Sequence, residues 1–466
     1  MADAAERKRA ELLRKAGSLE AELAHWLKLS EPKGALEVHN SQIRRLSSQL
    51  SGYRARLDHH LGKLAPDLVL AQAAGLEGAI LELHRIWDFF RTKLALRLNP
   101  WLRDLLAVAD ELAWSLYRLP CAAAVKAKTV AAEAVKEPPL VFLNGGASPV
   151  ALPRGVAYGL DASPYLGLPL HHFAEVLKAL PIPVIGIPWF QVSHLPDALL
   201  IGHEVGHHVQ DDLGLGPQLD ALLAGAQLPS AETATWLPWR DEMVADLFGT
   251  LTLGPAFAGA LDDFLATDAG RIAAETPATS GSYPTVYLRL WLCFAALERL
   301  GFEAQAAGLR ADWRQRHPTH QLGPLEQDVP AVVETLLLSP LAGLGESSLR
   351  DIKAEQRPLR FTAGHQARAE EVASDLLQPY PYKPGTKEVR TLLAGARLAF
   401  AQDPDAFGRE STQKVLHASL RDALTGGVRA GGTRARAGRD DQLRHRDEEA
   451  GAALFGRVQE LLKALS

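Results

Sequence analysis

Hydrophobic residues recur at helical spacing through the N-terminal region, residues 1–130. Steps of three and four separate the apolar positions on both sides of the segment SEPKG. They are Leu12, Ala16, Leu19, Leu23 and Trp26 before it, and Ile43, Leu46, Leu50, Tyr53 and Leu57 after it. Such spacing puts the apolar side chains on one face of a helix. The two stripes therefore predict an antiparallel pair of helices joined by a turn, within a helical N-terminal region.

The pattern changes after the segment KEPP, where apolar residues become consecutive rather than periodic. The run PLVFLNGGASPVAL has strand-forming residues on either side of Asn-Gly-Gly, which predicts a β-hairpin. The run PIPVIGIPWF is rich in β-branched residues and has prolines at both ends. Because proline cannot donate to a sheet ladder, this run predicts an edge strand. Helical patterns then return and continue through a C-terminal region, residues 346–466, where a Gly/Arg-rich stretch near 425–443 predicts a flexible loop.

Composition narrows the class of protein. The 466 residues are 47% hydrophobic and 23% charged, as in globular proteins, and the chain is long enough for more than one domain. The net charge of −5 gives no reason to expect a nucleic-acid partner. The N-terminus lacks the apolar segment of a signal peptide, and no apolar run is long enough for a membrane span. Two isolated cysteines suit a reducing compartment, so we expect a soluble protein of the cytoplasm.

Candidate chemistry is concentrated in the otherwise apolar run DALLIGHEVGHHVQDDLG. His203 and His207 are one helical turn apart, so their imidazoles can converge on one point, and Glu204 lies between them in sequence. This HExxH arrangement supplies two nitrogen ligands for zinc and a carboxylate that can accept a proton from water. Pro196, in the first turn, and Gly214, just past the last, mark the ends of the predicted helix.

A second apolar helix, WLPWRDEMVADLFGTL, supplies a third candidate ligand. A hydrolytic zinc site has three protein ligands and one open position. Glu242 can complete a His-His-Glu set for one Zn²⁺ ion per chain. Asp246, one turn further, can accept the free ring N–H of a ligating histidine and fix its tautomer. The alternative for all these residues is that they are packed core groups that bind no metal.

The segments HEVGH and EMVAD together resemble the gluzincin class of zinc metallopeptidases, in which a downstream ExxxD helix adds a glutamate to the HExxH ligands. The resemblance spans about Val141 to Gly301. It implies an α+β, mainly helical fold with a zincin-like metallopeptidase domain at residues 131–345. That domain would hold a small mixed sheet and the active-site helix, between helical N- and C-terminal regions. An edge strand of such a sheet binds substrate peptide as an added strand. The residues expected to form it are Val184, Ile185, Gly186 and Ile187.

The segment SGSYPTVYLRLW is distantly similar to a segment of the CAAX-processing and heat-shock membrane proteases of that class. Those proteins have His-Pro there, with an arginine six residues after the histidine. Tyr283, Pro284 and Arg289 occupy these positions here, so tyrosine replaces histidine, and the membrane helices of the relatives are missing. The similarity implies that Tyr283 could donate a hydrogen bond to an oxyanion, with Tyr287 as a competing candidate. Arg289 could instead pair with Asp246 or another buried carboxylate.

The sequence thus predicts a zinc-dependent metallopeptidase that acts on a protein or peptide. His203, His207 and Glu242 would hold the metal. Glu204 would take a proton from the attacking water and pass it to the leaving amine. The N-terminal helices could bind a protein partner. Two alternatives stay open: a catalytically silent zinc-binding or helical partner-binding protein, and a zinc hydrolase that acts on a non-peptide amide.

Overall fold

The computed structural model describes residues 3–152, 170–276, 281–318, 320–321, 323–354, 357–426 and 437–464. Within these ranges the protein is mainly helical and has a small three-stranded mixed sheet. This confirms the α+β, mainly helical class that the sequence predicts. No helix in the described ranges is both long enough and apolar enough to cross a membrane.

The N-terminal region is helical, as predicted. Its helices are α1 (Ala4–Gly17), α2 (Leu19–Leu29), α3 (Asn40–Lys63), α4 (Pro66–Ala71), α5 (Ala73–Ala95) and α6 (Pro100–Lys126). Both predicted apolar stripes are buried, but the first one, Leu12 to Trp26, is divided between two helices, α1 and α2. Trp26 packs edge-on against Trp87, with ring centroids 5.7 Å apart, and Tyr53 packs in the same way against Phe455 at 5.3 Å. The helical period of the sequence therefore identified a true core face.

A short strand region follows. Its elements are β1 (Leu140–Asn144), β2 (Val150–Leu152), α7 (Leu170–Ala179) and β3 (Val184–Pro188). In the sheet, β3 lies between β1 and β2. β2 and β3 are antiparallel, with Val150 opposite Gly186 and Leu152 opposite Val184. All three strands consist of buried residues, as a covered sheet requires.

Two predictions about this sheet are wrong. β1 and β2 do not form a hairpin, because β3 is inserted between them. The predicted edge strand is the central strand, so both of its sides are already paired and no edge is free for a substrate peptide. The four residues concerned are Val184, Ile185, Gly186 and Ile187. Pro183 precedes the strand and Pro188 ends it, so neither removes an N–H from the interior of the ladder.

The rest of the chain is again mainly helical. From the candidate site onward the helices are α8 (Ile201–Asp212), α9 (Gly216–Ala224), α10 (Thr233–Trp236), α11 (Arg240–Leu253), α12 (Pro255–Leu265), α13 (Ala269–Ala274), α14 (Val286–Arg299), α15 (Glu303–Arg316) and α16 (Val329–Leu338). The C-terminal elements are β4 (Lys353–Ala354), β5 (Arg357–Pro358), α17 (Ala363–Leu377), α18 (Val389–Gln402), α19 (Pro404–Phe407), α20 (Glu410–Gly426) and α21 (Ala437–Ala464). Most of the predicted flexible loop near 425–443 falls on residues 427–436, which lie outside the described residues. α21 begins at Ala437.

The chain divides into two compact units. Unit 1 comprises residues 1–106, 136–187 and 431–466, and unit 2 comprises residues 107–135 and 188–430. This division differs from the segments 1–130, 131–345 and 346–466 that the sequence suggests. α21 belongs to unit 1 because its residues Leu454, Phe455 and Val458 lie in the same hydrophobic core as the N-terminal helices. The sheet belongs to unit 1, and helices α8 to α20 belong to unit 2.

Helices α3 and α21 of unit 1 meet backbone to backbone at two glycines. A Cβ atom at Gly52 would lie 1.9 Å from the carbonyl oxygen of Glu448, and one at Gly451 would lie 1.7 Å from that of Gln49. No side chain fits at such distances, because the interior of a protein is close-packed. These two glycines therefore allow the last helix of the chain to pack against the third.

We expect Gly451→Ala to lower the free energy of unfolding by about 1–3 kcal/mol, because the added methyl group forces two helix backbones apart. Gly456→Ala is the matched control on the same helix, since a Cβ there would meet nothing within 4 Å. It should be neutral or stabilising by up to about 1 kcal/mol, because alanine favours the helix over glycine. Urea unfolding followed by circular dichroism measures both variants. Equal effects would contradict the close crossing.

Candidate metal centre

Two helices of unit 2, α8 and α11, carry the candidate site and approach each other very closely. A Cβ at Gly206 of α8 would lie 2.9 Å from the Cα of Ala245 in α11, and one at Gly202 would lie 3.3 Å from the Cα of Gly249. On both helices, small residues therefore recur four positions apart, on the face that meets the other helix. The absence of side chains at these points lets residues on the flanks of the contact converge.

Local sequence sets the ends of both helices. α8 follows a 3₁₀ turn, Leu195–Leu200, that has Pro196 in its first turn, and Gly214 just beyond the helix has a φ of +61°. The predicted C-terminal end, just before Gly214, is close to that observed, but the predicted start is too early, because Pro196 opens the 3₁₀ turn and the α-helix begins only at Ile201. α11 has two acidic residues in its first turn, Asp241 and Glu242, where the helix dipole favours negative charge.

His203 and His207 on α8 meet Glu242 from α11 in a tight triangle. The Nε2 atoms of the two histidines are 3.0 Å apart. The Oε2 atom of Glu242 lies 3.2 Å from Nε2 of His203 and 3.5 Å from Nε2 of His207. Both histidines are buried and Glu242 is mostly so. One ligand atom from each residue thus faces a common point.

The size of this triangle fits a tetrahedral zinc ion. Ligand atoms about 2.0–2.1 Å from such an ion lie about 3.3–3.4 Å from one another. The three observed distances, 3.0, 3.2 and 3.5 Å, bracket this value. Oε2 of Glu242 is also buried and has no hydrogen-bond partner within the described ranges. It faces the two histidines as ion-pair partners, and a cation held among the three groups would satisfy this buried carboxylate as well.

Asp246 and Arg289 form a layer behind His203. Oδ1 of Asp246 lies 2.8 Å from Nδ1 of His203. Arg289 donates from Nε to Oδ2 of Asp246 at 2.7 Å and from Nη2 to Oδ1 at 2.8 Å. Asp246 is fully buried and can only accept when ionised, so Nδ1 of His203 carries the proton and Nε2 is left to bind a metal. The sequence analysis predicted that Asp246 would accept from one of the ligating histidines, and it named Asp246 as one possible partner of Arg289.

Electrostatic interactions at the site keep two carboxylates ionised beside His203. Burial alone would raise the pKa of Asp246, but the charges of and hydrogen bonds from Arg289 and His203 hold it below its usual value. Burial likewise opposes ionisation of Glu242, but the two neighbouring histidines keep its pKa well below the usual range. Burial also opposes a charge on His203, and yet Asp246, Glu242 and Glu204 raise its pKa to about 10. Without a metal, His203 and Glu242 therefore form a buried ion pair, and a divalent cation would have to displace the proton from Nε2 of His203.

Glu204, the predicted general base, is buried on α8 and is close enough to His203 to raise the pKa of that histidine electrostatically.

The two candidate tyrosines lie in different environments. The ring of Tyr283 lies beside Arg289, with its centroid 5.4 Å from the guanidinium carbon. The hydroxyl group of Tyr287 instead lies near Gly323, and its ring packs against Trp291 and His320. Of the two, Tyr283 is therefore the one connected to the candidate centre, through Arg289.

The sequence analysis missed three residues that shape this site. Gly202 and Gly206 bring the helices together, and Gln210 links their backbones by hydrogen bonds. The spacing Gly202-x-x-x-Gly206, matched by Ala245-x-x-x-Gly249, is a visible signal, because small residues four apart lie on one helix face. Gln210 gave no such signal, since its partners in α11, the carbonyl group of Asp241 and the side chain of Arg240, are brought near only by folding.

No protein-family model matches the chain, and neither a curated protein nor a solved structure is found to be similar to it. The resemblance to the gluzincin class therefore rests on the site residues alone.

We expect Arg289→Met to lower the free energy of unfolding by about 3–5 kcal/mol, because it removes a charged partner of a fully buried carboxylate. The control is Arg299→Met on the same helix, whose ion pair with Glu334 is exposed. It should cost less than about 1 kcal/mol. Thermal and urea unfolding of metal-free protein measure both.

The double variant Arg289→Met/Asp246→Asn should recover part of that loss, since it also removes the unpaired charge. If Arg289→Met is no less stable than Arg299→Met, the buried ion pair does not have the stabilising role assigned to it.

Proposed function

We propose that this protein is a zinc-dependent metallopeptidase with a zincin-like core. The observation that carries the proposal is the triangle of His203, His207 and Glu242, whose dimensions suit a tetrahedral ion, on a helix that also holds Glu204. Two imidazoles and a carboxylate form a common ligand set of catalytic zinc sites.

The residues around the site have complementary roles in this proposal. The three ligands would hold zinc, which when bound supplies Lewis-acid chemistry at neutral pH. Glu204 takes a proton from the water that attacks the scissile carbonyl and passes it to the leaving amine. Asp246 orients His203, and Arg289 keeps Asp246 ionised. Tyr283 is the proposed hydrogen-bond donor to the oxyanion.

The number of ligands favours hydrolysis over a silent site. A structural zinc site usually has four protein ligands, whereas a hydrolytic site has three and one open position. In the part of the chain that the structure describes, the ligand group has three members. A glutamate that can act as a general base directly follows the first of them in sequence. This combination supports an enzyme rather than a catalytically silent zinc-binding protein.

The proposal extends to substrate, partners and compartment. Proteins or peptides are the proposed substrates, and a non-peptide amide is the alternative that substrate profiling would detect. The N-terminal helices are proposed to bind a protein partner, and no nucleic-acid partner is proposed. A cytoplasmic location is proposed because the two cysteines, Cys121 and Cys293, are free and buried, which suits a reducing compartment.

Mass spectrometry of purified protein and hydrolysis of fluorescently labelled casein test the proposal together. We expect about one zinc ion per chain in the wild type and in Glu204→Gln, and loss of zinc in His203→Ala and Glu242→Ala. Glu204→Gln should lower turnover by about 10²–10⁴-fold, because the general base is lost while the metal ligands are kept.

Glu303→Gln is the matched control, since this glutamate is exposed in the first turn of α15. It should change neither zinc content nor turnover. A wild type that takes up no zinc after incubation with the metal would overturn the zinc site. Normal turnover in zinc-loaded Glu204→Gln would refute the proposed mechanism, and zinc without hydrolysis in the wild type would favour the silent protein.

A further inference from the structure

Gln210 joins the two ligand helices one turn beyond His207. Its side chain is buried on α8. The side-chain Nε2 donates to the carbonyl oxygen of Asp241 in α11 at 3.0 Å and lies 3.4 Å from that of Gly206 in its own helix. Asp241 directly precedes the ligand Glu242. Gln210 thus contacts the backbone of α11 at the turn from which the third ligand projects.

Arg240 determines which way the Gln210 amide faces. Nη1 of Arg240 donates to Oε1 of Gln210 at 3.2 Å. Arginine has no acceptor, so the oxygen of the amide must face Arg240 and the NH₂ group must face the two carbonyl groups. All the contacts of the amide agree with this one orientation.

Arg240 is itself held in place from a third helix. Its Nε and Nη2 atoms donate to the two carboxylate oxygens of Asp220 in α9, at 2.9 and 3.2 Å, and it also pairs with Asp241. Such a two-point contact fixes the plane of the guanidinium group. The first turn of α11 is therefore tied to α8 through Gln210 and to α9 through Arg240.

We propose that Gln210 is a positioning residue. It fixes the distance between the carboxylate of Glu242 and the two histidines, and thereby the affinity of the site for zinc. This inference rests on the proposed function. The glycine contact at Gly202 and Gly206 sets the distance between α8 and α11 but leaves rotation and sliding of α11 to be restrained elsewhere. The contact between His203 and Asp246 supplies one such restraint, and the bond from Gln210 to Asp241 supplies a second one in the turn that carries Glu242. Partners that orient ligands in this way commonly change metal affinity about 10–100-fold when they are removed.

Two substitutions separate the contacts of Gln210. Gln210→Glu keeps an acceptor for Arg240 but replaces the N–H donor to Asp241 with an oxygen, so that two acceptors face each other. Gln210→Met keeps the length of the side chain and removes both contacts. Gln218→Met is the matched control. Gln218 accepts a hydrogen bond from the N–H of Gly343 at 3.1 Å, and this bond does not involve α11.

Competition with a chromogenic zinc chelator measures the zinc dissociation constant of each protein, and the absorption spectrum of the cobalt(II)-loaded protein reports the ligand geometry. We expect both Gln210 variants to bind zinc about 10–100-fold more weakly, with an altered cobalt spectrum. Gln218→Met should match the wild type in both. Thermal unfolding of the metal-free proteins identifies any variant that fails to fold, and the inference is then judged on the variant that does fold.

The outcomes separate this inference from the proposed function. A wild type that binds no zinc refutes the proposed function. A wild type that binds zinc, with Gln210 variants that bind it equally tightly and give the same cobalt spectrum, refutes the positioning role alone. A lower melting temperature without a change in zinc affinity would show that Gln210 is merely structural and would also overturn the inference.

Discussion

Helices α8 and α11 touch backbone to backbone, and the geometry of the candidate metal centre depends on that contact. Gly202 and Gly206 on one helix face Ala245 and Gly249 on the other, and there is no room for a larger side chain. Because the axes come so close, residues on the flank of the contact meet at about 3 Å without any loop to bring them together. Rigid helices hold such ligands more precisely than loops do.

The close contact also explains why so much charge is buried beside the site. Asp246 lies on α11 one turn beyond Glu242 and faces His203 across the helix contact. A carboxylate there is tolerable only with a partner of opposite charge, and Arg289 from α14 supplies one with two hydrogen bonds. From the triangle inward, the site alternates acceptor and donor groups: Glu242, His203, Asp246 and Arg289. Each group thereby limits the protonation state of the next.

Units 1 and 2 each contain a pair of helices that pack closely at glycine residues, and the result differs between the units. In unit 1, Gly52 and Gly451 let helices far apart in sequence form one core. In unit 2, the glycines of α8 bring ligand-bearing helices together, and Gln210 and Arg240 anchor the start of α11. Close packing by itself stabilises a fold. Close packing with a hydrogen-bonded anchor beside the ligand can also tune an ion site.

The sequence by itself determined the buried helix faces and singled out the candidate ligands. Apolar positions at steps of three and four identify buried helix faces, and His203 and His207 one turn apart must share a side of their helix. These are local relations, which hold in whatever way the helix packs. Only the tertiary structure decided that β3 lies in the centre of the sheet, that α21 joins the N-terminal core, and that Gln210 bonds to Asp241. Strand order and contacts between distant segments depend on how whole elements pack. The pattern along one segment does not identify the segments that it will contact.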